Sequence, residues 1–224
     1  MKFCIEERPS SSPFVETIWR TQSAGPGLFI SQAANYWEMV LTRHNGQPIF
    51  TVRGPETRAT TIECQWTEGE FLGIIFKPGA FMPHLPPGVV MDRKDLELPG
   101  ITPQSFWLHN SAWQFPDYEN VDTFVAQLAR SGLLVHEPIV DAVLQGQQQD
   151  LSLRSLQYRF LHATGLTCRT FLQIERARKA LALLEQKHSI LDVVYEAGYF
   201  DQPHLTRSLK RFFGQTPAQI ASEN

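Results

Sequence analysis

The chain has 224 residues, of which 42% are hydrophobic and 19% are charged, as in ordinary globular proteins. Its apolar runs are far shorter than the roughly 20 residues that span a bilayer, and its first residues lack the pattern of a signal peptide. The three cysteines are widely spaced, which favours unpaired thiols in a reducing compartment. We therefore expect a cytoplasmic protein with one large domain or two small ones.

The charge is distributed unevenly along the chain. The net charge is −3, but counting Lys and Arg against Asp and Glu gives −6 for residues 1–149 and +3 for residues 150–224. A basic C-terminal part on an acidic body favours contact with a polyanion, although chance can produce such a split.

The first 110 residues predict mostly β structure. Residues 37–42 form a short predicted strand, and residues 48–53 form the returning strand. Between them stands Asn45-Gly46, a strong hairpin signal because both turn positions require positive φ.

A second strand pair is predicted at residues 60–66 and 71–77, joined by a turn at residues 67–70. Residues 82–103 are rich in proline and predict an irregular connection.

Helical patterns begin after residue 115. Residues 120–131 have apolar side chains at helical spacing and end at Gly132, and Pro138 stands at a favourable first helical position. We expect an α+β fold in which a β-rich domain, half-barrel or cupin-like, is followed by an all-α domain. The predicted boundaries are a sensor domain at 1–115, a helical bridge at 116–136 and a helical domain at 137–224.

The helical region contains two copies of one unit at an offset of 49 residues. Ser152 aligns with Asp201, and both are good N-caps. Gly165 aligns with Gly214, and both can take the left-handed conformation that ends a helix. Each unit therefore predicts one helix of about 12 residues between cap and glycine, at 152–163 and 202–213.

Both predicted helices combine an apolar face with a polar face that suits DNA. The apolar face of the first carries Leu153, Leu156 and Phe160, and that of the second carries Leu205, Leu209, Phe212 and Phe213. Arg can bind guanine and Gln can bind adenine in the major groove, while Thr, His and Lys reach phosphates or base edges. The predicted DNA-binding residues are Arg154, Ser155, Gln157, Tyr158, Arg159, Gln202, Pro203, His204, Thr206, Arg207, Lys210 and Arg211.

The second unit has the pattern of a helix-turn-helix. Ser189 caps a short predicted helix at 190–197, Gly198 starts the turn, and Asp201 caps the second helix. A continuous helix predicted at 171–186 joins the two units. It is long enough to place two recognition helices in neighbouring major-groove segments, so a single chain could bind a bipartite site.

These residues resemble the AraC/XylS family of bacterial transcriptional regulators. The resemblance covers about 85 residues, through the segments 160–165, 174–184, 189–194, 197–207, 210–214 and 216–217. It implies a two-unit DNA-binding domain, double-stranded DNA and RNA polymerase as partners, and an N-terminal domain that binds a small-molecule effector or a second copy of the chain. Carried over by position, Gln202, Pro203, His204 and Arg207 face bases in the second unit, and Arg154, Gln157 and Tyr158 do so in the first.

The chain departs from the family pattern in the first unit. Tyr158 stands where members often carry arginine, and residues 147–149 replace a clean glycine turn. Both departures put base recognition by the first unit in doubt. Residues 37–43, 76–80 and 106–108, with Trp113, also resemble the partner domain of one subgroup, which implies a small β-barrel or half-barrel sensor.

Two other classes stay open. A metal-dependent cupin-type enzyme needs clustered ligands, but His44, His84 and His109 are scattered in the sequence and no HxH pattern occurs. We therefore predict no enzymatic activity, no metal and no cofactor. A regulator that acts by protein contact alone is the other alternative. Five aromatic residues are candidates for an effector pocket or for core packing: Trp19, Trp37, Trp66, Phe71 and Phe81.

Overall fold

A computed structural model describes residues 5–23, 27–64 and 69–223. The N-terminal part is β-rich, with strands β1 (Glu6–Arg8), β2 (Val15–Ser23), β3 (Gly27–Ser31), β4 (Glu38–His44), β5 (Gln47–Arg53), β6 (Thr60–Cys64), β7 (Gly69–Phe76), β8 (Ala80–Phe81), β9 (Leu96–Leu98), β10 (Gly100–Thr102), β11 (Ser105–Leu108), β12 (Ser111–Gln114) and β13 (Val135–His136). The helices are α1 (Val121–Arg130), α2 (Pro138–Leu144), α3 (Leu153–Thr164), α4 (Cys168–Glu185), α5 (Ile190–Glu196), α6 (Gln202–Phe213) and α7 (Pro217–Glu223). The α+β fold class is confirmed.

Among the described residues, no helix has the length and apolar character needed to span a membrane.

The main sheet is antiparallel and has the strand order β1-β2-β7-β4-β5-β9. The predicted hairpin is confirmed, since β4 and β5 pair directly and Asn45 and Gly46 both have positive φ, at 49° and 74°. The predicted irregular connection contains a 3-10 turn at Pro87–Val89 and the short strands β9 and β10.

The predicted pairing of the next two strands is wrong. Strand β7 lies between β2 and β4, while β6 pairs with β3 instead. In the β2–β7 register Trp19 stands opposite Gly73, and its indole occupies the space that a Cβ at Gly73 would need. A large ring over a glycine fixes this register. The predicted turn at 67–70 and Trp66 lie mostly outside the described residues.

One face of the main sheet packs against α1 and forms the first core. Strand residues such as Ile18, Met39 and Ile74 share one buried cluster with Val121 and Phe124 of the helix, and the ring centroids of Phe50 in β5 and Phe124 are 6.1 Å apart. The segment predicted as a helical bridge thus shares its core with the strands. The boundaries 1–115, 116–136 and 137–224 stay a prediction.

The second core lies among α3 to α7. The repeat is visible in it: α3 and α6 each have 12 residues, and each ends at a left-handed glycine, Gly165 at φ 73° and Gly214 at φ 75°. The predicted apolar face of α6 is confirmed, because all four of its residues are buried. That of α3 is wrong at Leu153, whose side chain is 69% exposed. Leu153 is the first residue of α3, and the buried residues of this helix, Phe160, Ala163 and Thr164, lie toward its other end.

The two parts of the chain touch at the C-terminal ends of α3 and α6. A Cβ at Gly165 would come within 2.8 Å of the Gly88 nitrogen in the 3-10 turn. At α6, the backbone N–H of Ala33 donates to Phe212 O at 2.7 Å, and that of Ala59 donates to Arg211 O at 2.8 Å. The last carbonyls of a helix lack partners inside it, so here the β-rich part supplies them.

Gly165→Ala should destabilise the protein more than Gly198→Ala. Both glycines have φ near 73°, which costs an alanine about 1–2 kcal/mol. Only Gly165 is packed against another backbone, whereas a Cβ at Gly198 meets nothing within 4 Å. We expect an additional loss of about 1–3 kcal/mol for Gly165→Ala, measured by urea unfolding. Equal losses for the two variants would contradict the close approach of α3 to the 3-10 turn.

Candidate nucleic-acid interface

The second unit is a short helix, a tight turn and a longer helix. The hydroxyl of Ser189 accepts a hydrogen bond from Asp192 N at the start of α5. Gly198 has φ 73°, which permits the sharp turn, and the carboxylate of Asp201 accepts from His204 N at 2.7 Å to begin α6. The predicted helix-turn-helix geometry of this unit is therefore present in the fold.

Tyr199 holds the turn against α6. Its ring is buried, and its hydroxyl lies 2.9 Å from Ser208 Oγ. Burial raises the pKa of the Tyr199 phenol, so the group stays neutral. A further contact fixes α5, because Lys179 Nζ of α4 donates to Glu196 O at 2.6 Å. The orientation of α6 is thereby tied to both α4 and α5.

The outer face of α6 is polar and cationic. Gln202, Pro203, Arg207, Lys210 and Arg211 are exposed, and His204 and Thr206 are half-buried. After Asp201 the helix contains no carboxylate. This surface can donate hydrogen bonds to base edges and phosphates and has no acidic group to repel them.

The first unit differs from the second in its turn. Helix α2 ends at Leu144, and Gly146 follows it with φ 67°. Residues 147–152 then lead into α3, which Ser152 caps by accepting from Ser155 N. On α3, Arg154, Gln157 and Tyr158 are exposed and available for contacts.

Arg159 of α3 is occupied by an intramolecular ion pair. Its Nε lies 2.9 Å and its Nη2 2.7 Å from the carboxylate oxygens of Glu137. Glu137 also caps α2 by accepting from Ile139 N. The guanidinium therefore fastens α3 to α2, and Ser155 is half-buried beside its cap partner Ser152.

Tyr158 stays on the outer surface of α3. Its side chain is 68% exposed, and its ring lies parallel to that of His162, with centroids 6.1 Å apart. His162 in turn packs edge-on against Phe81 of the β-rich part.

Sequence reasoning missed two arginines of α4. Arg169 and Arg176 line a groove between α4 and α6, across from Arg207 and Arg211. The spacing of i and i+7 places them on one face of α4, but only the packing of α4 against α6 brings that face beside α6. It also missed Phe200, whose side chain is 92% exposed directly before the cap of α6.

A polar network joins α4 to the β-rich part. The buried Asn35 donates from Nδ2 to Glu175 Oε1 at 2.7 Å and accepts from Arg178 Nη1 at 2.9 Å. Arg178 also pairs with Glu175 at 2.8 Å and lies over the ring of Tyr36. Like the contacts at the ends of α3 and α6, these contacts join a helix of the basic C-terminal part to the β-rich part.

Two of the three histidines considered as metal ligands do come together. The rings of His84 and His109 are 4.5 Å apart, because the loop after β8 meets the β11–β12 turn. Burial, together with His109, lowers the pKa of His84. Within the described ranges, no third His, Cys, Asp or Glu joins such a group to make a set of three.

The aromatic residues predicted for a pocket or core divide between the two roles. Trp37 is core: it stacks on Phe76 at 3.9 Å between centroids. Phe81 is also buried, and Trp19 covers Gly73. Phe71 lines a cavity of about 510 Å³ at the end of the main sheet, together with Arg20, Leu41, Arg43, Leu72 and Tyr118.

Comparison with known proteins identifies the helical part. Residues 147–223 match the model of a helix-turn-helix domain. An 81-residue segment is 36% identical to the HTH-type transcriptional activator RhaS of Escherichia coli strain SE11, and covers 36% of this chain and 28% of that protein. Residues 147–223 are thus similar to a helix-turn-helix domain, and the matching relatives support the resemblance of this segment to the AraC/XylS type.

Other similarities cover a small share of the sequence or have a low sequence identity. RhaS of Salmonella arizonae is 35% identical over 75 residues, which cover 33% of this chain and 27% of the relative. The chain thus matches little more than a quarter of the length of these relatives. Two structures of ToxT from Vibrio cholerae cover 97% of the chain, at TM-scores of 0.43 and 0.42 and identities of 7% and 8%.

The Asn35 and Arg178 side chains should be energetically coupled across the contact between the two parts. Asn35→Ala and Arg178→Ala should each destabilise the protein by about 1–3 kcal/mol, because each leaves a polar partner unsatisfied. The double variant should lose less than the sum of the two, by about 0.5–3 kcal/mol. Urea unfolding of all four proteins measures the coupling.

Arg130→Ala is the matched control, since Arg130 is an exposed arginine at the end of α1. It should add independently to Asn35→Ala. Strict additivity of Asn35→Ala with Arg178→Ala would rule out the network as a link between the two parts.

Proposed function

We propose that the protein is a sequence-specific transcriptional regulator that binds double-stranded DNA at a bipartite site, with α3 and α6 as recognition helices. The observation that carries the proposal is the second unit, in which a left-handed Gly198 and the Asp201 cap present a cationic, amide-bearing helix. The match of residues 147–223 to an AraC/XylS-type domain supports it. The relatives named above are transcriptional activators, and we extend that activity and RNA polymerase as a partner to this chain as part of the proposal.

In the second unit, Gln202 and Arg207 are the main candidates for base contacts. Both are exposed, and Gln202 is the first residue of α6, the end that enters the major groove in helix-turn-helix proteins. His204 is packed against Tyr199, with ring centroids 5.0 Å apart, and is better placed for a phosphate at the edge of the groove. Lys210 and Arg211 lie toward the other end of the helix and supply further charge.

In the first unit, base contacts are assigned to fewer residues than the sequence suggested. Arg154, Gln157 and Tyr158 are exposed, whereas the guanidinium of Arg159 is bound to Glu137. We therefore assign Arg159 a role in orienting α3. A tyrosine at position 158 can contact a phosphate or an apolar base edge, but cannot form the bidentate bond of an arginine to guanine.

Arg207→Ala should weaken binding to the specific site by about 1–3 kcal/mol and relax the preference at one base pair. The physical reason is the loss of two hydrogen bonds from one guanidinium to a base edge. Fluorescence anisotropy with a duplex and its single-base variants measures both effects. Arg130→Ala, which removes an equal charge far along the chain, should leave the base preference unchanged. If Arg207→Ala weakened all duplexes equally, the residue would contact phosphate only.

The bipartite model predicts two sequence blocks with centres about 10 base pairs apart, one helical turn. Selection from a random duplex library with the full chain should recover both blocks. Arg154→Ala should degrade one block and Arg207→Ala the other, since the two residues lie on different recognition helices. Recovery of a single block, unaffected by Arg154→Ala, would show that α3 does not contact bases.

We further propose that the β-rich part modulates DNA binding in response to a small molecule or to a second copy of the chain. The contacts of the 3-10 turn with α3, and of Ala33 and Ala59 with α6, give a physical route. The cavity of about 510 Å³ beside Arg20 and Tyr118 has the size of a small-molecule site.

The two alternatives are separable from this proposal. A metal-dependent enzyme would need clustered ligands, and among the described residues His84 and His109 meet without a third ligand. A regulator acting only by protein contact could use the exposed Leu191, Tyr195 and Phe200. Such a regulator would show no salt-dependent affinity for DNA, whereas phosphate contacts release counterions and make affinity fall with salt.

A further inference from the structure

The groove between α4 and α6 is unusually rich in arginine. It has a volume of about 720 Å³ and is open to solvent. Its walls include Arg169, Gln173 and Arg176 from α4, and His204, Arg207 and Arg211 from α6. Leu172, Tyr199 and Phe212 add apolar surface to its lining. The lining thus contains four guanidinium groups, and no Asp or Glu is among the described residues that line it.

The four positive charges have no acidic partner in the described part of the chain. None of these arginines forms an ion pair with a described residue, in contrast to Arg159 and Arg178. Arg176 lies over the ring of Tyr199 at 5.8 Å, and Arg211 lies over that of Phe212 at 4.9 Å. An aromatic ring orients a guanidinium without removing its charge. The groove therefore has a concentrated positive potential, which attracts anions.

The groove is continuous with the outer face of α6. Arg207 and Arg211 belong to both surfaces. An anion bound in the groove would therefore lie next to a molecule bound on the outer face of α6. Arg169 and Arg176 are separated by about 10 Å along the helix axis. That distance corresponds to about three phosphate-to-phosphate steps along one DNA strand.

We propose that this groove holds the phosphate backbone of the DNA strand beside the major groove that α6 occupies, with Arg169 and Arg176 as additional phosphate-binding residues. This inference rests on the proposed function. It assigns α4 a direct role in DNA binding beyond that of a connecting helix. An open groove with charges spaced along its length suits a polymer better than a single small anion, which would be enclosed.

Salt dependence of DNA binding by the full chain is the test. Each phosphate contact adds about 0.9 to the slope of log affinity against log salt. The double variant Arg169→Gln/Arg176→Gln should lower that slope by about 1.8, so that between 50 and 200 mM salt its affinity falls about twelvefold less than that of the wild type. It should weaken specific and scrambled duplexes by the same factor and leave the selected sequence unchanged. Arg130→Gln is the control, and it should keep the wild-type slope.

A second measurement needs no variant. Cys168 lines the groove and is half-buried, and burial raises the pKa of its thiol. Bound duplex should slow its alkylation by N-ethylmaleimide, followed by peptide-resolved mass spectrometry. An unchanged slope in the double variant, or an unchanged rate at Cys168 in a protein that binds duplex, would overturn the inference while leaving the proposed function intact.

Two other outcomes are also decisive. In the first, inorganic phosphate at constant ionic strength stabilises the wild type but not the double variant, and both proteins have the same slope of log DNA affinity against log salt. The groove would then be a site for a free anion, and the assignment to DNA would be wrong. Failure of the wild type to bind any duplex at low salt would overturn the proposed function and this inference together.

Discussion

The C-terminal ends of α3 and α6 are the points on which the arrangement of this protein depends. Each helix ends at a left-handed glycine, and each glycine faces the β-rich part: Gly165 packs on the 3-10 turn, and a Cβ at Gly214 would lie 3.1 Å from Ile30. Backbone donors at Ala33 and Ala59 satisfy the last carbonyls of α6. Because a glycine carries no side chain, the 3-10 turn approaches α3 at Gly165 more closely than any other residue would allow, and a Cβ at Gly214 would have an unusually tight contact with Ile30.

This contact has a consequence for how regulation could work. The helix ends are held, and the outer faces and N-terminal ends of α3 and α6 are left exposed. A change in the β-rich part would therefore act on the position of α3 and α6 and would not cover their exposed outer faces. The Asn35 network adds a third contact, with α4, the helix that joins the two units. A shift of the β-rich part would therefore displace both units together.

The charges of the helical part divide into two kinds. Arg159 and Arg178 are bound to carboxylates and hold helices or parts together, whereas Arg169, Arg176, Arg207 and Arg211 have no such partner among the described residues. An unneutralised guanidinium held by an aromatic ring keeps its attraction for an external anion. The division explains why the net positive charge of residues 150–224 understates how concentrated the positive surface is.

Much of the helical part was determined by the sequence alone. Caps and glycines are local signals, so the limits of α6 and α3, the 49-residue repeat and the second turn could all be predicted. The long-range features could not. The partner of β7, the exposure of Leu153, the ion pair of Arg159 with Glu137, the meeting of His84 with His109 and the groove of α4 against α6 each join residues that are distant in the chain or depend on how elements pack. Sequence periodicity indicates which face of a helix is polar, but only tertiary packing decides whether a polar side chain on that face is bound within the protein or free to bind another molecule.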